Sequence, residues 1–156
     1  ADVEEIRQRA STNRFEHHFD EVRDALRANR DLLDGAPAAL VYGDPAHPNL
    51  FREDDGVGFI DWEIAHVGDP ARELNRVRHQ FVREDAEAML SAIHDGYERR
   101  AGGLPQGLER RRPVYNLLWH LGTSAVFDKQ AARADDEEAA ARAHEETMSE
   151  LLDALR

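Results

Sequence analysis

Apolar residues at Phe15, Phe19, Val22 and Leu26 recur at helical spacing and share one face. Residues 3 to 33 are therefore predicted to be helix, broken near Ser11 to Asn13. Asp34-Gly35-Ala36-Pro37 ends it, with glycine after the helix and proline beyond. The period then changes. Ala39-Leu40-Val41-Tyr42 reads as a short buried strand ending at Gly43, and Asn49–Arg52 and Val57–Ile60 flank a hairpin turn at Glu53-Asp54-Asp55-Gly56. Asp69 followed by Pro70 opens the next helix as a cap acid and a first-turn proline. Its stripe is Leu74, Val77, Phe81 and Val82. Ala86, Met89, Leu90, Ile93 and Tyr97 mark a second helix, closed by Ala101-Gly102-Gly103-Leu104-Pro105. A third starts near Pro113, burying Val114, Leu117, Leu118, Leu121 and Ala125. The last runs from about Asp135 to the end on Met148, Leu151, Leu152 and Leu155, its acidic run Asp135–Glu138 suiting the positive end of a helix dipole. The pattern predicts an α+β fold, predominantly helical, with a small β patch between helices.

Composition narrows what such a domain does. The 156 residues suit a single domain, and a formal net charge of −12 opposes binding to nucleic acid or to anionic membrane surfaces. No run of about 18 apolar residues is present, and the acidic N-terminus has no hydrophobic signal core, so a cytoplasmic domain is expected. Cysteine is absent, which removes disulfides, thiolate metal sites and thiol nucleophiles. Lys129 is the sole lysine. An acidic, lysine-poor surface fits either a halophilic source or an arginine-favouring genome.

The polar residues that carry chemistry fall between 41 and 75. Asp44 follows the strand end at Gly43, Asn49 lies five residues on, and Asp61 ends the hairpin's second strand. A hairpin brings Asn49 and Asp61 to one end of the patch, so two carboxylates and a carboxamide oxygen converge. Oxygen donors of this kind suit a hard ion, above all Mg²⁺, and leave Asp44 to accept a proton from an attacking hydroxyl. The same residues also suit a pair of turns capped by Asp and Asn.

Two ordered motifs carry a family resemblance. Tyr42-Gly43-Asp44, four residues and Asn49 resembles the catalytic loop of the aminoglycoside phosphotransferase and choline kinase family, small-molecule kinases related in fold to protein kinases. Phe59-Ile60-Asp61-Trp62-Glu63-Ile64-Ala65 with Gly68-Asp69-Pro70 resembles its metal-binding segment. The resemblance implies an ATP-dependent transfer of the γ-phosphoryl group to a hydroxyl of an aminoglycoside- or choline-like acceptor, cationic acceptors suiting an acidic cleft. Asp44 would be the catalytic base, Asn49 and Asp61 would hold Mg²⁺, and Glu63, His47 and Trp62 would face substrate or support the site. Tyr42 stands where the family usually has histidine, and Glu73 replaces an aspartate. The resemblance also implies the C-terminal lobe of a kinase-like fold: a helical entry (1–36), a catalytic and metal-binding segment (37–75) and a helical subdomain (76–156). Residues 1–36 hold no Gly-rich loop and no lysine, so the nucleotide-clasping N-terminal lobe is expected to be missing from this chain, which is expected to lack activity by itself. The alternative is a non-catalytic small-molecule-binding module or pseudokinase fragment.

Other constellations are weaker. His17 and His18 are adjacent on a helix and are expected to point to different sides, as surface or half-buried residues. His144-Glu145-Glu146 lacks the second histidine of a zinc-protease helix, and no serine sits in a nucleophile motif.

Overall fold

A computed structural model describes residues 3–54, 56–81 and 86–156, with the side chain of Ala86 outside the description. Val82 of the predicted stripe and Asp55 of the predicted turn lie outside the described residues. The fold is α+β and mostly helical. It divides into two compact units, one formed by residues up to Asp34 with Pro113–Arg156, the other by Gly35–Arg112.

In the first unit, α1 (Val3–Gln8), α2 (Glu16–Ala28) and α3 (Arg30–Asp34) replace the single interrupted helix of the sequence reading. The first break is held by Ser11, whose backbone N–H donates to the Ala125 carbonyl at 2.8 Å and whose hydroxyl donates to Asp128 at 2.6 Å. The second falls at Asn29, whose side-chain amide donates to the Ala25 carbonyl at 2.9 Å, competing for the helical ladder as short amides do. The remaining helices are most of α6 (Leu108–Ala125), α7 (Phe127–Ala131) and α8 (Glu137–Asp153). Asp136 caps α8 by accepting from the Ala139 N–H at 2.9 Å. Phe19, Val22, Leu117, Leu121, Met148 and Leu152 form the core, and Phe15, Phe127, Ala131 and Ala141 a second cluster.

His17 and His18 depart from expectation. Their rings lie 4.3 Å apart, and both Nε2 atoms face the same oxygen of Glu145 on α8. A 100° step along a helix separates Cα–Cβ vectors, yet two imidazoles can still converge on a carboxylate presented by a neighbouring helix.

The second unit holds two antiparallel ladders. β1 (Ala39–Val41) pairs β4 (His66–Gly68), and β2 (Leu50–Glu53) pairs β3 (Gly56–Phe59) in the register Leu50↔Phe59, Phe51↔Gly58, Arg52↔Val57, Glu53↔Gly56. β4 is absent from the sequence reading, because three residues paired to a distant strand leave no local period. Phe51 lies across Gly58 so closely that an added Cβ would sit 2.1 Å from the ring. α4 (Pro70–Phe81) and α5 (Ala86–Ala101) follow. The predicted α5 stripe is only half-buried at Leu90, Ile93 and Tyr97, and Met89 is exposed.

α6 begins five residues earlier than its proline suggests. Pro113 removes one ladder bond near the helix start, where the loss is small, and buried Leu108 and Arg111 anchor the turn before it.

Candidate active site

The loop after β1 turns on a residue that only glycine serves well. Gly43 has φ +91°, and a Cβ there would lie 2.8 Å from the Ile64 carbonyl oxygen. Its N–H donates to Glu73 on α4 at 2.9 Å, which gives the aspartate-to-glutamate position a structural duty. Asp44 comes next, and the Asp44 carbonyl accepts from Ala46 N–H at 2.7 Å. A single 3₁₀ turn, His47–Asn49, then brings Asn49 back over the loop.

Asn49 and Asp44 are in direct contact. The Asn49 amide nitrogen donates to the Asp44 carboxylate at 2.9 Å and to its carbonyl at 3.2 Å. With the –NH₂ so engaged, the amide oxygen Oδ1 is turned away from Asp44, and Asp44 keeps one carboxylate oxygen outside this bond. The Ile60 N–H donates to the Asn49 carbonyl at 3.0 Å, so Asp61 follows directly at the same end of the hairpin. Asp61 is exposed and has φ +64°, a left-handed conformation that costs a non-glycine residue about 1 kcal/mol and that Asp tolerates better than most.

Tyr42 is buried beneath these groups. Its hydroxyl donates to the Ile60 carbonyl, and its ring meets Phe59 at 5.1 Å and Trp62 edge-on at 4.9 Å. Burial pushes the phenol pKa up, and the negative charges of Asp44 and Asp61 push it the same way, so the hydroxyl stays a donor. Trp62 donates its indole N–H to the Phe59 carbonyl at 2.9 Å and leaves half of its surface open. Glu63 and His47 are also exposed, and His47 approaches Phe81 with ring centroids 6.3 Å apart. Among the described residues neither makes a hydrogen bond or ion pair to Asp44, Asn49 or Asp61.

Asp69 caps α4 through the Ala71 N–H at 2.9 Å and forms a two-pronged ion pair with Arg111 at 2.5 and 3.2 Å, both side chains buried. The cap is legible from Asp69-Pro70. The arginine is not, because three consecutive arginines precede Pro113 and only packing selects the inward one.

The sequence profile of the phosphotransferase enzyme family matches residues 1–114. The chain belongs to that family. Two solved structures similar to this family member share its fold. LicA in complex with AMP is 15% identical, with a TM-score of 0.62 over 99% of this chain and 53% of that one. Choline kinase LicA from Streptococcus pneumoniae is 18% identical, with a TM-score of 0.59 over 99% and 55%. The chain thus spans about half the length of the solved structures it matches. No curated protein matches it in sequence. Among the described residues, no helix of this phosphotransferase-family chain is long and apolar enough to cross a membrane.

Proposed function

We propose that this chain is the acceptor- and metal-binding lobe of an ATP-dependent small-molecule phosphotransferase, with Asp44 as the catalytic base. The observation that carries the reading is the Asn49–Asp44 contact, made within a motif of the family to which the chain belongs. In the proposed reaction the acceptor hydroxyl is held by the free Asp44 oxygen. Its oxygen bonds to the γ-phosphorus, the bond from that phosphorus to the bridging oxygen breaks, and Asp44 takes the proton. Asn49 orients the base by engaging its other oxygen.

The donor set fits a magnesium ion: Asn49 Oδ1 is directed away from Asp44, and the Asp61 carboxylate is exposed at the same hairpin end. Both are hard oxygen ligands of the kind Mg²⁺ takes alongside phosphate and water. Bound there, Mg²⁺ would supply neutralisation of charge on the nucleotide's phosphates. The positive φ of Asp61 sets that carboxylate on the loop rather than along the strand.

The acceptor we propose is a small cationic alcohol such as choline or an aminosugar. Trp62 presents a half-open aromatic face beside Tyr42 and Phe59, a surface that attracts a cation. Binding of the nucleotide's remaining parts is assigned to a separate N-terminal lobe. On the full-length protein with ATP and Mg²⁺, Asp44→Asn is expected to lower kcat by a factor on the order of 10² to 10⁴. KM for the alcohol should stay within a few-fold. Unchanged turnover in that variant would rule the assignment out.

A further inference from the structure

A second constellation lies in the other unit, between α2 and α8. The Nε2 atoms of His17 and His18 are 3.3 and 2.9 Å from one and the same oxygen, Glu145 Oε2. Glu21, one turn along α2, offers a carboxylate oxygen within 4.8 Å of a nitrogen of each histidine. Ligands bound at about 2.1 Å around a tetrahedral ion are about 3.4 Å apart, so each of the two nitrogen-to-Glu145 distances is close to one edge of a metal's coordination shell.

The surroundings of His18 suit this role. Its Nδ1 lies 2.9 Å from the Ser124 hydroxyl, which in turn lies 2.8 Å from His144 Nε2. The hydroxyl can accept from His18 Nδ1–H and donate to His144. That arrangement leaves the Nε2 lone pair of His18 directed at Glu145, as in metal-bound imidazoles whose other nitrogen is tied to a hydrogen-bond partner. His18 is buried and held in place, while His17 and Glu21 are exposed and can adjust.

We propose that His17, His18, Glu145 and Glu21 form a binding site for a divalent transition ion, zinc being the best match to two imidazoles and two carboxylates, which clips α2 to α8. Two carboxylates balance the ion's charge, and imidazole with carboxylate selects zinc or its neighbours over magnesium. The site is independent of the phosphotransfer reading, since none of its residues belongs to that unit. The clip would join residues far apart in sequence, so binding should stabilise the folded chain by mass action.

The test uses the full chain, stripped with EDTA and titrated with ZnCl₂ by calorimetry and by thermal melting. The expected result is one equivalent bound with Kd of about 10 µM or tighter, and a melting temperature that rises with zinc. With CoCl₂ the visible bands of a four-coordinate cobalt site should appear. His17→Ala changes an exposed side chain and Glu145→Gln a half-exposed one, and each should weaken zinc binding about tenfold or more, whereas His94→Ala on α5 should not. Should His17→Ala fail to fold, Glu145→Gln alone decides. Absence of saturable binding, or affinity that neither variant changes by tenfold, would overturn the proposal and leave a hydrogen-bonded histidine–glutamate cluster only.

Discussion

The Tyr42 hydroxyl donates a hydrogen bond to the Ile60 carbonyl, joining the residue two before Asp44 to the residue just before Asp61. This bond ties the two loops of the proposed site together where the family's usual histidine is absent. The Tyr42 ring packs against Phe59 and Trp62 at the same time.

Tyr42→Phe should therefore keep the packing and lose the tether. Stability is expected to fall by about 1 kcal/mol, the net value of one such bond plus an unpaired carbonyl. kcat should fall more than KM for the acceptor rises, because the alignment of Asp44 with Asp61 loosens while the acceptor's aromatic wall remains. A urea melt and a steady-state assay of the full-length protein measure the two effects. An unchanged melt together with unchanged kcat would contradict the bracing role.

The Asp69–Arg111 pair makes a second prediction. Both side chains are buried, and Arg111→Met removes the guanidinium from the Asp69 carboxylate while keeping the cap on α4. Breaking one side of a buried pair costs about 3 to 5 kcal/mol. The pairing energy is isolated by comparing Arg111→Met, Asp69→Asn and the double variant in a mutant cycle. Because α4 carries Glu73, which holds the Gly43 N–H, activity should decline together with stability. A loss below about 1 kcal/mol in the single variant would mean that the pair is already solvated.

A third prediction concerns acid. Burial, with the nearby His18 and His120 rings adding to it, depresses the pKa of His144 to about 4 from its ordinary 6.5. The folded chain thus holds this histidine neutral where the unfolded chain protonates it. Its contribution is present above pH 6.5 and is lost as pH falls from 6.5 toward 4, by roughly 3 kcal/mol in all. With EDTA present, urea midpoints at several pH values should fall across this window in the wild type. His144→Gln should flatten the slope, and a wild-type slope shared fully by that variant would assign the effect to carboxylates instead.

Much of the proposed site is legible in the sequence because its determinants are local. Asp44 and Asn49 are five residues apart, and a proline-stiffened loop with one 3₁₀ turn is enough to bring them into contact. Asp61 follows from the hairpin, in which Phe51 pairs with Gly58 and lies across it. The long helices with strong apolar stripes, α2, α6 and α8, are visible for the same reason. Their ends are less so: Asn29 splits one helix through a side-chain hydrogen bond, and Leu108 and Arg111 extend another upstream of Pro113.

What the sequence by itself determined is the spacing that brings Asp44, Asn49 and Asp61 to one end of the β patch, and the helical character of most of the chain, since both rest on short-range pattern. Only the tertiary structure decided that β4 pairs with β1, that Glu73 holds Gly43, that Arg111 rather than its neighbours meets Asp69, and that His17 and His18 converge on Glu145. Each of these joins residues separated by at least one whole element. Side-chain direction and helix approach then set the partner, and neither is encoded in a local period.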